Sequence, residues 1–278
     1  MILTVELPQE LLNRLRDAPL RLNAMRSALL TANLEGVWWG TRTAALVDRA
    51  SFDQDGARKL GECLQAAQSD LFVVFEPTSE QTFVVNRRLL RERLSEHVAF
   101  VEVGVQQPAL VSGLTFIAPA LFKADNFPLP EQLHTRPERL KPLLDKISTH
   151  PANDPFCLLA LESSSRTSDL IVLAGVLLDY ATAYCVAGEG PNCLGGRELN
   201  LIEAFSITAK GQRNHLFSFS YPTEIISSSR DLAPSTVIAA VEGKLQKRFR
   251  EAQRRYSELA GFSVEVKHST VTLDQVAL

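Results

Sequence analysis

Nine consecutive positions, Leu170–Leu178, carry no polar side chain. A helix of that composition is buried on nearly every side, so the segments around it have to cover it. Phe156–Leu161, just upstream, is a continuous apolar run of strand length, and Tyr180–Val186 reads as a second strand. Strand, loop, helix and strand in that order predict a βαβ unit, with a parallel strand pair covered on both faces. The fold class that follows is α/β of mixed type: a parallel βαβ portion, an antiparallel C-terminal portion, and helices on both faces.

The loop that feeds the helix is rich in hydroxyls. Ser163, Ser164, Ser165, Thr167 and Ser168 surround the single cation Arg166. Thr167 or Ser168 can cap the helix, with Asp169 in the first turn where the helix dipole favours negative charge. A helix N-terminus exposes free N–H groups and partial positive charge. Hydroxyl donors and a planar guanidinium beside it are suited to a phosphate or carboxylate, in the place where open α/β sheets bind ligands. The plain reading of the same residues is a solvated connection with an ordinary N-cap.

Several predicted strands end in a carboxylate: Asp48, Glu76, Glu102 and Glu162. If the strands are parallel neighbours, these acids gather at one sheet edge. Asp48 and Glu102 then form a candidate Mg²⁺ site for a phosphorylated ligand. Glu76 instead falls on a predicted hairpin turn, and acids are common turn formers.

Other chemistry is harder to find. The four cysteines, Cys63, Cys157, Cys185 and Cys193, have no CxxC spacing, and the five histidines are scattered. A zinc site therefore has no support. Cys193 lies in a Gly-rich loop, but no base is placed beside it. GxGxxG, P-loop and GxSxG patterns are absent. The net charge of −3 gives no overall drive toward nucleic acid or an acidic membrane. The N-terminal MILTVELPQELLNRL has early acids and no basic n-region, so it does not read as a signal peptide. Leu170–Gly188 is nearly long enough to span a bilayer, but Asp179 lies in its middle. Reduced thiols and the absence of a span predict a soluble intracellular protein, cytoplasmic or nuclear.

The rest of the chain supports a single α/β domain over 1–278, with a helical N-terminal segment 1–36. Helices are expected at Pro8–Arg16 and Leu20–Asn33, the second ended by Gly36. Thr43–Asp48 reads as a strand, followed by a helix capped by Ser51 and Gln54. Leu71–Glu76 and Gln81–Val85 form a hairpin, Asn86 caps the next helix, and Val98–Val103 is another strand. Gly104–Thr135 shows no period and interleaves prolines with Phe116, Phe122 and Phe127. Long irregular insertions of this kind are often lids or docking segments. A helix is expected over Pro137–Ile147, with Pro142 delaying its regular start. Leu199–Thr208 and Asn214–Tyr221 are expected to pair antiparallel. A last helix, Pro234–Leu259, carries Lys244, Lys247, Arg248, Arg254 and Arg255 along one side. Ser263–Lys267 and Thr270–Leu273 close the chain as strands.

Four segments carry a resemblance: Ser168–Val186, Asn192–Leu194, Leu216–Ile225 and Val271–Leu278. Together they are similar to a eukaryotic domain-of-unknown-function family named after human chromosome 1 open reading frame 74. The strand ending in Asp48 and the strand VAFVEV extend the likeness more loosely. The resemblance implies a single intracellular domain and brings no activity, cofactor or catalytic residue. Two functions from different classes follow from the sequence. One is a domain, with or without catalysis, that binds an anionic small molecule at 163–168. The other is a non-catalytic protein-interaction or adaptor module that uses 104–135 or the C-terminal helix.

Overall fold

The computed structural model describes residues 9–20, 22–48, 50–96, 98–103, 109–110, 137–163, 166–186, 194–228 and 230–274. In chain order the elements are α1 (Gln9–Asp17), α2 (Ala24–Trp38), β1 (Ala44–Leu46), α3 (Gln54–Gln65), β2 (Leu71–Glu76), β3 (Gln81–Asn86), α4 (Arg87–Arg93), β4 (Ala99–Val103), β5 (Ala109–Leu110), α5 (Pro137–Ser148), β6 (Phe156–Leu158), α6 (Arg166–Leu177), β7 (Thr182–Val186), β8 (Glu198–Ile207), β9 (Arg213–Pro222), α7 (Pro234–Gln253) and β10 (Ser263–Thr272). The mixed α/β class is as expected. The chain divides into two compact units, Met1–Arg93 with Pro142–Glu162, and Leu94–Lys141 with Ser163–Leu278.

The first unit is built on a four-stranded sheet of order β1-β3-β2-β6. The β2–β3 hairpin forms as its sequence predicts, with Leu71 opposite Asn86 and Glu76 opposite Gln81. All six residues of β2 are buried, so both of its faces are covered. Helix α3 is capped by Asp53, whose side chain accepts from the Gly56 amide at 2.7 Å, not by Ser51 and Gln54. Helix α2 runs past Asn33 and through Gly36 to Trp38, so Gly36 does not end it. Asn86 does cap α4, accepting from the Leu89 amide at 3.1 Å. The Arg87 guanidinium lies over the Phe72 ring at 4.4 Å and donates to the carbonyls of His150 and Pro151. Those carbonyls take the two terminal nitrogens of a cation that is only 2% exposed.

The second unit has two three-stranded sheets, β5-β4-β7 and β10-β8-β9. In the first, β4 and β7 are parallel, with Ala99 opposite Thr182, and β5 pairs antiparallel with β4. The second is antiparallel throughout, with a bulge at Ala204 and Phe205. Val101, Ile202, Phe219, Tyr221 and Leu245 belong to one buried core in this unit.

The pairing corrects the expected βαβ unit. β6 pairs parallel with β2, and β7 pairs parallel with β4, so the strands on either side of α6 are not neighbours. Both parallel pairs exist, but they join segments distant in sequence. The apolar composition of α6 shows that it needs cover without showing which strand gives it. α5 begins at Pro137 and carries Pro142 inside it. The two predicted C-terminal strands are one continuous strand, β10. The insertion read as patternless contains the short strand β5; its other residues, with Phe116, Phe122 and Phe127, lie outside the described ones.

Candidate functional site

Helix α6 starts two to three residues earlier than its sequence suggests. Arg166, Thr167 and Ser168 form its first turn and are not loop or cap. Ser163 is exposed in the turn ahead of it, Thr167 is exposed, and Ser168 is partly exposed. Asp169 shares the first turn and is 6% exposed. Ser164, Ser165 and the Arg166 side chain lie outside the described residues. Ser163 opens the second unit's C-terminal stretch, Ser163–Leu278, one of three points where the chain passes between the units. The first-turn amides have no intrahelical carbonyl to bind, and Thr167 and Ser168 add hydroxyls beside them.

Of the acids expected at one sheet edge, Asp48 and Glu76 lie at the ends of β1 and β2, strands that run the same way in the first unit's sheet, whereas Glu102 belongs to a sheet of the second unit. Asp48 is exposed, two residues past β1, and its Oδ1 accepts from Asn33 at 3.4 Å. It belongs to the first unit and Glu102 to the second. Glu102 is inside β4, opposite Cys185, and its side chain lies outside the described residues. Glu76 ends β2 and braces the hairpin turn that follows: its Oε2 accepts from the Ser79 amide and hydroxyl, each at 2.7 Å. Glu162 is exposed. Among the described residues no three His, Cys, Asp or Glu side chains group as metal ligands. Cys157 and Cys185 are buried, and burial pushes the Cys157 thiol up. Cys193, His97 and His134 lie outside the described residues.

The structure instead assembles a four-charge cluster that the sequence does not announce. Asp179 follows α6 in the left-handed region, with φ 70°. The Tyr180 amide reaches back to the Gly175 carbonyl at 3.2 Å, as in a Schellman ending. Glycine is the usual occupant of that position; aspartate tolerates it at a cost of about 1 kcal/mol. The carboxylate accounts for the choice. Arg248 Nη1 donates to Asp179 Oδ2 at 2.9 Å, and Lys244 Nζ reaches Asp179 Oδ1 at 3.4 Å and Glu96 Oε2 at 3.1 Å. Asp179 and Arg248 are each 1% exposed. Two of the five cations read as an outer basic face, Lys244 and Arg248, thus point inward, leaving Lys247 on α7 and Arg254 and Arg255 past its end exposed with Arg250. The cluster is charge-balanced and fixes the α6–β7 turn onto α7.

Glu35 is the second residue that sequence reasoning passes over. The helix expected over Leu20–Asn33 stops short of it. Because α2 continues, Glu35 is 8% exposed, and burial pushes its carboxyl up to about 7. The signal that could have found it is an acid inside LEGVWWG, where every other residue is apolar or glycine. A groove of ≈ 340 Å³ opens between α1 and α3, with Arg14, Asp17, Lys59, Glu62 and Cys63 on its walls. Burial pushes the Cys63 thiol up, which works against thiolate chemistry there.

No family model, curated protein or solved structure matches the chain. No helix among the described residues is long and apolar enough to cross a membrane.

Proposed function

We propose that this protein binds a small anionic molecule, bearing a phosphate or carboxylate, at residues 163–168. The observation that carries the reading is the early start of α6. It gives the first helical turn two hydroxyl residues, Thr167 and Ser168, at least partly open to solvent, with Ser163 exposed beside them. First-turn amides, hydroxyls and the positive end of a helix dipole favour an anion there. Arg166 would pair with the same anion, through a bidentate contact. The reading is of binding; an enzymatic role with Asp48 and Glu102 holding Mg²⁺ requires those carboxylates to reach the bound anion. In the same proposal the chain joins the family named after human chromosome 1 open reading frame 74, on the four segments quoted above.

Calorimetric titration and thermal shift with inorganic phosphate, citrate, nucleotides and sugar phosphates test this, each with and without Mg²⁺. A ligand that binds only the folded state raises the melting temperature as its concentration passes Kd. Replacing both Thr167 and Ser168 by alanine is expected to weaken that ligand by about tenfold or more, the worth of one to two hydrogen bonds. Absence of stabilisation by any of these compounds would remove the assignment. A second reading, a protein-interaction or adaptor module, is favoured by the exposed Lys247 and Arg250 of α7 and Arg254 and Arg255 just past its end. It predicts salt-sensitive binding to acidic peptides that is lost when those four are neutralised and kept when Thr167 and Ser168 are replaced.

A further inference from the structure

Among the described residues, strand β10 is the outer strand of its sheet and pairs with β8 along its whole length, Ser263–Thr272. None of its ten residues is buried, and Lys267–Thr270 are exposed in succession. Every second residue of such a strand turns its N–H and C=O away from the sheet, toward any strand that can reach them. Natural sheets rarely leave so long an edge without a device to block it or a partner to cover it. Neither proline nor glycine interrupts this one.

We propose that β10 pairs antiparallel with β10 of a second copy of this chain, across a two-fold axis at Val266. A two-fold axis normal to the sheet keeps equivalent faces together, so directly opposed residues are both odd or both even in number. Charge then selects the register. Centred on Val266, Glu265 faces the partner's Lys267 and Lys267 faces the partner's Glu265. Centred one residue earlier, Glu265 would face its own copy; one residue later, Lys267 would. Like charges directly opposite destabilise a strand pair, and opposite charges support it. The monomer already contains the pieces. Glu265 takes Arg213 Nε at 2.9 Å and Lys267 Nζ at 3.4 Å, and all three side chains are more than a third exposed. In the dimer Glu265 keeps Arg213 and exchanges its own Lys267 for the partner's, so no charge is stranded. On the opposite face Val264 and Val266 pack against the core of the second unit. Val266 meeting its copy at the axis continues that apolar face into the partner.

Seven residues from each strand, Ser263–Ser269, are paired in this register, which makes a small interface and a weak dimer. The inference does not depend on the anion site. Sedimentation velocity of the full chain over a concentration series, at low and high salt, tests it. The wild type should dimerise with concentration, and more weakly as salt rises. Lys267→Glu sets like charges together at two symmetric places and should raise the dissociation constant at least about tenfold. Lys267→Ser, which removes attraction without repulsion, should raise it about threefold. Combining Glu265→Lys with Lys267→Glu restores opposite charges across the axis and should recover part of the loss, the remainder reflecting Arg213 beside position 265. Far-UV circular dichroism confirms that each variant is folded. A wild type that stays monomeric throughout overturns the proposal and leaves the edge to an unlike strand. Dimerisation equal in the wild type and in folded Lys267→Glu also overturns it, because the contact then lies elsewhere.

Discussion

Glu35 holds its proton in the folded protein at pH values where the unfolded chain has lost it, because burial pushes its carboxyl from 4.5 up to about 7. Below pH 4.5 both states are protonated and the residue costs nothing. Between 4.5 and 7 the folded state binds more protons, so stability falls as pH rises. Above 7 the full penalty is present, about 3 kcal/mol for a shift of this size. Glu35→Gln should therefore flatten the pH dependence and stabilise the protein by that order at pH 8 in urea denaturation. A slope unchanged by the substitution would show that the carboxyl is solvated. Asp179 carries the opposite risk. Asp179→Asn keeps a side chain that tolerates the left-handed backbone but leaves Arg248 buried with less counter-charge, and should cost about 3 kcal/mol. Adding Arg248→Met should return most of it, since the stranded cation and not the turn geometry carries the cost. A loss undiminished in the double variant would contradict that account.

Among the elements, α6 shows how packing overrides propensity. Gly175 lies inside this helix, where glycine costs about 1 kcal/mol relative to alanine. A Cβ there would fall 2.9 Å from both Cα and Cβ of Ala183 on β7. Gly175→Ala is accordingly expected to destabilise by about 2 kcal/mol despite the gain in helix propensity; thermal denaturation that shows stabilisation would mean the strand yields. The same element marks how much was legible in the sequence. The apolar run identified α6 as buried, because composition alone decides that. The β2–β3 hairpin and the β8–β9 pair were legible because their contacts are local and their turns carry recognisable residues. The partners of β6 and β7 were not, because pairing over long separations leaves no trace in periodicity. The start of α6 was missed for a local reason: Arg166–Ser168 have first-turn and cap propensities alike. The proposed site residues 163–168 are thus read largely from sequence, while the Asp179–Arg248 pair is not. Its members are 69 positions apart, and a lone Asp after an apolar helix reads as an ordinary surface acid.

Across the whole molecule, the division into two units, each with its own sheets, predicts that unfolding is not a single transition. Gly61 on α3 approaches the first unit's backbone closely: a Cβ there would lie 2.3 Å from the Pro155 carbonyl oxygen. Gly61→Ala should lower the transition of the first unit and Gly175→Ala that of the second, resolved by calorimetry or by hydrogen exchange of the two sets of amides. If both variants shift one common transition equally, the units unfold together.

The first unit is closed by a strand that arrives late. β6 shields the flank of β2, yet it is translated only after the whole of Leu94–Lys141, which belongs to the other unit. On the ribosome, the oily sequence LFVVFE therefore waits with one side open until Phe156–Leu158 has been made. During that interval the nascent chain is most exposed to aggregation, and a holding chaperone would have its clearest reason to engage.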